Sequence, residues 1–247
     1  MRNLKVTVQY DGTDLVGWQR QAGGTSVQAL LEDALAPFDG RRVVVHGAGR
    51  TDAGVHALAQ VATFGLTNSI APAALVRALN GVLVPQVRII AAEEADPGFH
   101  ARFSATGKIY EYRIVNAPLL SPFLHRYAWH VPQPLDLEAM RAAAARLVGT
   151  HDFASFQGSG SFVVSTERTV RALAWEDGGG YDLPLVMRIE GDGFLRHMVR
   201  NIAGTLVEVG AGRWTAAEME GILAARDRRR SGRTAPPHGL FLARVLY

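Results

Sequence analysis

Leu4-Lys5-Val6-Thr7-Val8-Gln9-Tyr10 alternates apolar and polar side chains without a break, placing Leu4, Val6, Val8 and Tyr10 on one face of a half-buried strand. Asp11-Gly12 ends it with a turn signal. Thr25-x-x-Gln28 reads as a capping box. Behind it Val27, Leu30, Leu31, Ala34, Leu35 and Phe38 keep helical spacing until Pro37 and Gly40 close the helix. Val43–Val45 and Leu58–Phe64 read as strands. Pro72 opens a short helix with Leu75, Val76 and Leu79 on its stripe, ending at Asn80-Gly81. Val87–Glu93 is a further strand, so the order is β–α–β–β–α–β.

The second half repeats this grammar. Ile109–Val115 alternates, with Tyr110, Tyr112 and Ile114 on one side. Asp136 caps a helix carrying Leu137, Met140, Ala144, Leu147 and Val148. Thr169–Glu176 and Leu185–Glu190 are strands flanking the Gly178-Gly179-Gly180 turn. Phe194–Val209 is a helix, Thr215-x-x-Glu218 is a capping box opening an extra one, and Leu240–Leu246 is the last strand. The expected fold class is α+β in two similar halves with antiparallel sheets, residues 1–104 and 105–247. The Gly- and Ser-rich stretch Gln157–Ser165 reads as a surface loop.

Composition removes several functions. The 247 residues contain no cysteine, which excludes disulfides, thiol nucleophiles, Fe–S clusters and Cys-type zinc sites. The eight histidines form no HxxxH or HExxH pattern, so no metal is expected. The start, MRNLKVTVQYDG, lacks the apolar core of a signal peptide, and no stretch approaches the roughly 20 apolar residues of a membrane span. A cytoplasmic protein with no membrane partner is expected. The net charge of +3 names no partner by itself. All but two of the 26 basic residues are arginine, which suits phosphate and base contacts but also accompanies GC-rich coding.

Four segments could carry chemistry. Gly47-Ala48-Gly49-Arg50-Thr51-Asp52-Ala53-Gly54-Val55-His56 presents an Arg, an Asp and a His on a Gly-rich connection between strands; on pattern alone, a plain turn with Asp52 as turn former also accounts for it. Gly98–Arg113 interleaves His100, Arg102, Lys108 and Arg113 with Phe99, Phe103, Tyr110 and Tyr112. That pattern fits either an RNA surface or an amphipathic strand with core aromatics. Phe194–Asn201 sets Arg196 and Arg200 four apart on an apolar helix, either solvated or, for Arg200, paired with a carboxylate. Arg226–Arg233 is a run of net charge +4, either a solvated face or a phosphate-binding edge.

Taken in order, the motifs identify a family. Tyr10-Asp11-Gly12 with Gly17-Trp18-Gln19-Arg20-Gln21, Ala48–His56, Phe99–Ala105 with Tyr110-x-Tyr112, Gly149-x-His151-Asp152-Phe153-x-Ser155-Phe156, His197–Ile202 and Gly239–Leu242 resemble the tRNA pseudouridine synthase A family over nearly the whole chain. The resemblance implies two RNP-like α/β halves joined around a central catalytic cleft. It also implies isomerisation of uridine to pseudouridine in the anticodon stem-loop of tRNA, at positions 38–40, by a homodimer that needs no cofactor. It makes Asp52 the catalytic aspartate, Arg50 a displacer of the target nucleotide, Tyr110 a ring against the uracil, Arg200 the partner of the aspartate and Leu242 a pocket wall. Arg102 would bind substrate.

The chemistry agrees. The N1–C1′ bond breaks and a C5–C1′ bond forms with no net redox change, so a carboxylate suffices as nucleophile or base. Burial would raise its pKa and an adjacent guanidinium would lower it again. A non-catalytic RNA-binding module is the alternative, but it leaves Asp52 and Arg200 without a role. A nucleoside hydrolase needs a second carboxylate beside the first, which the Asp52 loop does not offer.

Overall fold

The computed structural model describes residues 1–160 and 163–247. The chain forms five α-helices and ten strands among these residues, a mixed α+β fold. It divides into two compact units: Met1–Thr106 with Phe241–Tyr247, and Gly107–Leu240.

The first unit follows the β–α–β–β–α–β order: β1 (Arg2–Tyr10), α1 (Val27–Asp39), β2 (His46–Gly47), β3 (His56–Leu66), α2 (Pro72–Val82) and β4 (Val87–Glu94). Leu4, Val6, Val8 and Tyr10 are all buried, as their alternation requires, while Gln9 between them is exposed. β1 pairs antiparallel with β3 (Leu4 opposite Phe64, Val6 opposite Ala62) and with β4 on its other edge. Val27, Leu31 and Leu35 of α1 and Leu75 and Leu79 of α2 supply buried apolar surface to the same unit. Ser26, not Thr25, caps α1: its hydroxyl accepts the Ala29 amide at 3.2 Å, and Gln28 is used elsewhere. Gly40 closes the helix in the left-handed region, donating its amide to Ala36 O. Val43–Val45 is not a strand. Val43 and Val45 are buried in a loop, and the short ladder begins only at the next residue, His46 opposite Thr63.

The second unit contains β5 (Gly107–Val115), β6 (Trp129–His130), α3 (Leu137–Ala145), β7 (Gly149–Asp152), β8 (Glu167–Glu176), β9 (Leu185–Gly191), α4 (Met198–Gly210) and α5 (Glu218–Ala225). Its sheet runs β5-β9-β8-β7 in antiparallel pairs, with β6 joined to β5 by a short parallel ladder. Asp136 caps α3 by accepting the Ala139 amide at 2.9 Å. α3 ends before Leu147 and Val148, so Leu147 is buried while Val148 is exposed. α4 starts at Met198, four residues later than its apolar spacing suggests, because His197 adopts left-handed φ (58°). Arg196 therefore lies before the helix, and its guanidinium donates to Ser159 O at 2.8 Å. The Thr215 capping box forms only in part: the Glu218 carboxylate accepts the Thr215 amide and hydroxyl, but α5 begins at Glu218 itself, with Ala217 at the cap position and no side-chain cap. Of the expected Gln157–Ser165 loop, residues 157–160 and 163–165 are neither helix nor strand; Ser161 and Phe162 lie outside the described residues.

β10 (Leu240–Leu246) returns to the first unit and pairs parallel with β3, Phe241 opposite His56 and Leu242 opposite Ala57. The β1–β3, β1–β4, β2–β3, β5–β9, β8–β9 and β7–β8 ladders are antiparallel. The sequence division after residue 104 lies two residues before the change of unit at 106/107, and the last strand, assigned by sequence to the second half, belongs to the first.

Gly204 of α4 has no room for a side chain, since a Cβ there would lie 1.8 Å from Arg233 O. Gly204→Ala must push backbone from backbone and is expected to destabilise the second unit by about 2 kcal/mol or more. Gly221→Ala, on the open face of α5 with nothing within 4 Å, should instead be neutral or gain up to about 1 kcal/mol. Urea unfolding midpoints of the two variants check the contrast.

Candidate active site

The Asp52 loop leaves β2 and enters β3, and its backbone is held from several sides. Ala48 N–H donates to Val61 O (2.8 Å), and Gln60 Nε2 donates to Gly49 O (2.9 Å). Trp18 N–H donates to Thr51 O (3.1 Å), and Gly54 N–H to Leu15 O (3.3 Å). Val55 N–H closes a turn onto Asp52 O at 3.2 Å with Gly54 at φ 76°, the left-handed third position of a type II turn. Asp52 is half-buried at the head of this turn. The segment 11–18 approaches too closely for ordinary residues: a Cβ on Gly12 would lie 2.1 Å from Val55 O, and one on Gly17 2.5 Å from Thr51 O. Gly17 also sits at φ 100°.

Polar side chains brace the loop from inside the core. The Tyr10 and Thr51 hydroxyls are 2.8 Å apart, and Tyr10 also bonds to Gln60. Burial pushes the Tyr10 phenol up to about 12, against the lowering effect of its bonds to Thr51 and Gln60. Gly12 N–H donates to His56 Nδ1 (3.0 Å), which lies 3.2 Å from Asp11 Oδ1, and the His56 ring stacks on Phe241 at 4.6 Å. Trp18 is buried against Gly47. Arg20 then fastens the 11–21 segment to α1 through Glu32 (2.8 Å) and Asp33 (2.6 Å). Each of these residues except Gln60, Glu32 and Asp33 stands within or beside the sequence motifs, but only the fold reveals that they converge on one loop.

Asp52, Arg50, Arg102 and Leu242 fall in the first unit; Tyr110 and Arg200 fall in the second. Arg50 is exposed on the Asp52 loop. Leu242 is fully buried and pairs with Ala57, at the foot of the same loop. Arg102 is exposed on the turn after Phe99. In the second unit, Tyr110 is buried on β5, its ring edge-on to Phe194 at 5.2 Å. Tyr112, on the same strand, donates its hydroxyl to Pro236 O at 2.8 Å, and burial raises its pKa. Arg200 is half-buried in the first turn of α4, its Nε donating to Ala235 O at 2.7 Å.

The 226–235 segment that carries Ala235 is locked in turn. Arg228 donates to Asn201 Oδ1, Thr234 Oγ1 and Ser231 Oγ, and the fully buried Asn201 donates to Phe156 O at 2.7 Å. The other arginines of the run are mostly engaged as well. Arg226 pairs with Asp152 (3.0 Å), Arg229 with Asp227 (2.8 Å), and Arg233 lies 3.6 Å from Glu208 and over the Trp129 ring. Arg228 is therefore a structural cation, not part of an open phosphate edge. Among the described residues no group of three or more His, Asp or Glu side chains is arranged to hold a metal ion, and no helix is long and apolar enough to cross a membrane.

The Tyr10–Thr51 pair sets a pH dependence. The phenol ionises near 10 when free and near 12 when folded. Its contribution to stability is thus complete below pH 10 and is lost as pH rises from 10 to 12. Tyr10→Phe, which strands the Thr51 hydroxyl, should cost about 1–2 kcal/mol near neutrality. The gap to the unmodified protein should narrow across that alkaline window, as denaturant midpoints on both sides of it will show.

The profile of the tRNA pseudouridine synthase family matches residues 6–104 and 143–247. A tRNA pseudouridine synthase A of Myxococcus xanthus is 47% identical over 247 residues, covering 100% of this chain and 92% of its own. Proteins of the same name from Thermoanaerobacter sp. (strain X514) and Acetivibrio thermocellus are 43% and 44% identical, each match covering 100% of both chains. With most of its length matched by the profile and relatives similar from end to end, the chain belongs to the tRNA pseudouridine synthase family.

Proposed function

We propose that Asp52 is the catalytic carboxylate with which this protein, an isomerase, converts uridine to pseudouridine in tRNA. The target is the anticodon stem-loop, at positions 38–40. The observation that carries the assignment of Asp52 is its place at the head of a turn whose backbone is bonded to β3 and to the 11–18 segment, with Thr51 pinned at both its hydroxyl and its carbonyl. A reacting carboxylate gains from such fixing, because a prepositioned group reacts without first losing its rotational freedom. The reaction detaches uracil from C1′ and reattaches it through C5. Asp52 acts at the sugar or the base as nucleophile or proton acceptor, and the isomerisation is redox-neutral.

The remaining roles follow each residue's chemistry. Arg50, exposed on the same loop, takes the place of the extruded nucleotide, a step that costs a few kcal/mol. Tyr110, its ring fixed by Phe194, lies against the uracil, and Leu242 forms an apolar wall. Arg200 is the partner of the aspartate, and its bond to Ala235 O fixes the plane of the guanidinium. A guanidinium matches a carboxylate in charge and can bind it through two parallel N–H···O bonds. Arg102 contacts RNA phosphate. A homodimer working on tRNA in the cytoplasm completes the reading.

Incubating the protein with tRNA and counting pseudouridine, free uracil or neither tests it. Pseudouridine is expected. Free uracil would indicate a hydrolase, and binding with no product a binding module. Asp52→Asn should cost roughly a thousandfold or more in turnover while circular dichroism stays unchanged; near-normal turnover would remove Asp52 from the chemistry. Tyr110→Phe keeps the ring and should bind tRNA nearly as tightly as the unmodified protein. A large fall in its single-turnover rate would show that the hydroxyl transfers a proton.

A further inference from the structure

A second feature of the first unit has no part in the chemistry above. In the turn that follows Phe99, five consecutive amides are bonded. His100 N–H donates to Ser104 Oγ (3.0 Å), Ala101 N–H to Thr63 Oγ1 (3.2 Å), Arg102 and Phe103 N–H to His100 Nδ1 (3.1 and 3.4 Å), and Ser104 N–H to His100 O (2.9 Å). Ala101 is fully buried, and its carbonyl accepts the Tyr247 hydroxyl at 2.9 Å. Yet this fixed turn holds Phe103 with 77% of its surface in solvent. The ring ends a short row of tilted rings: His46 and His100 are 5.0 Å apart at 39°, His100 and Phe103 4.5 Å at 35°, and the Arg102 guanidinium lies 5.5 Å from the Phe103 centroid.

Folding gains little from a phenylalanine so exposed, and a loop free to choose would turn it inward. The surroundings are those of a base-stacking surface: an open aromatic face, a guanidinium beside it, and imidazoles behind. His100 Nδ1 is an acceptor for two amides, and desolvation, His46 and Arg102 all lower the pKa of the ring. A protein partner would call for a contiguous apolar surround, whereas Phe103 is flanked by Arg102, His100 and His46.

The row sits where β2 leads into the Asp52 loop. His46 pairs with Thr63, the residue that also anchors Ala101. Thr63 lies seven residues along β3 from His56, where the Asp52 loop ends, or roughly 20 Å at the rise of a strand. A base on Phe103 is therefore not the nucleotide at Asp52.

We propose that Phe103, with Arg102 and the His46–His100 pair, is a stacking platform for an unpaired base of the tRNA other than the uridine that is isomerised, with Arg102 on the adjoining phosphate. This rests on the reading of the protein as a tRNA-modifying enzyme. The platform would add affinity and register without touching the reacting atoms.

Equilibrium binding of tRNA to the unmodified protein, Phe103→Ala and Phe103→Trp tests it. Phe103→Ala should raise the dissociation constant roughly 5- to 150-fold, and Phe103→Trp should bind as tightly as the unmodified protein or more so. Single abasic substitutions through the unpaired nucleotides of the anticodon arm then identify the base: one should weaken binding to the unmodified protein but not to Phe103→Ala. Unchanged affinity of Phe103→Ala, or abasic effects identical in the two proteins, overturns the platform. So does a change in sedimentation of Phe103→Ala with unaltered tRNA affinity, which would make the ring a protein contact. Pseudouridine formation by the unmodified protein is measured alongside, so failure of the enzymatic reading is seen separately from failure of the platform.

Discussion

The bond between Trp18 N–H and Thr51 O, with the Tyr10 hydroxyl on the other end of Thr51, is the contact on which the Asp52 loop depends. A loop with no regular structure of its own keeps its shape only if its backbone groups find fixed partners elsewhere. Here they are found on β3, at Val61 and Gln60, and on the 11–18 segment, at Leu15 and Trp18. The close approach is possible because Gly12 and Gly17 carry no Cβ. Placing two hydroxyls and an amide side chain inside an apolar core is costly when they are unpaired and inexpensive when they satisfy one another. Tyr10, Thr51 and Gln60 do so, and the same bonds hold the residue that precedes Asp52.

Charge follows a similar logic in the second unit. Its arginine run looks like surface in sequence, but Arg228 turns inward to Asn201, and Thr234 bonds the same Asn201 oxygen. The Thr205 hydroxyl accepts the Gly232 amide, and Ala235 and Arg200 exchange backbone and side-chain bonds. Arg228 thus supports the segment that fixes Arg200. A net charge of +3 records none of this, since it counts Arg228 and Arg50 alike although one is consumed by folding and the other faces solvent.

What was legible in the sequence was what local patterning determines. The alternation of Leu4–Tyr10, the stripe of α1 and the Asp136 cap all appear in the structure, and Glu218 bonds back to Thr215 without making it the cap. Local pattern and structure part where a distant contact decides. Thr25 loses the cap to Ser26 while Gln28 donates to Val45 O and accepts from the Gln19 side-chain amide and the Arg20 backbone amide. The apolar spacing from Phe194 continues smoothly through His197, so nothing local announces the left-handed residue that delays α4 and frees Phe194 to meet Tyr110. Asp52 stood out by motif, but its bracing by Tyr10, Gly17 and Trp18 could not be read, because those residues are brought to it only by tertiary folding. Phe103 is the converse case: the interleaving of rings and cations hinted at a surface, and the exposure of that one ring separates it from the core aromatics Tyr110 and Tyr112.

The course of the chain adds a constraint that local patterns do not carry. The unit bearing Asp52 is built from residues 1–106 and 241–247, so more than half of the sequence intervenes between its two parts. The later part is not peripheral. Phe241 stacks on His56, Leu242 pairs with Ala57, Leu246 O accepts the Thr106 amide at 2.8 Å, and the Tyr247 hydroxyl holds the turn of Phe103 through Ala101 O. Such non-local closure is slow, because loop entropy is lost before the contacts compensate for it. The first 106 residues can form their antiparallel strands and helices from local pairings. The foot of the Asp52 loop and the anchor of the Phe103 turn are completed only when β10 arrives, after the second unit in the sequence. Both functional surfaces of the first unit are therefore coupled to the docking of one short strand, and a change that loosens β10 acts on the two together without touching either directly.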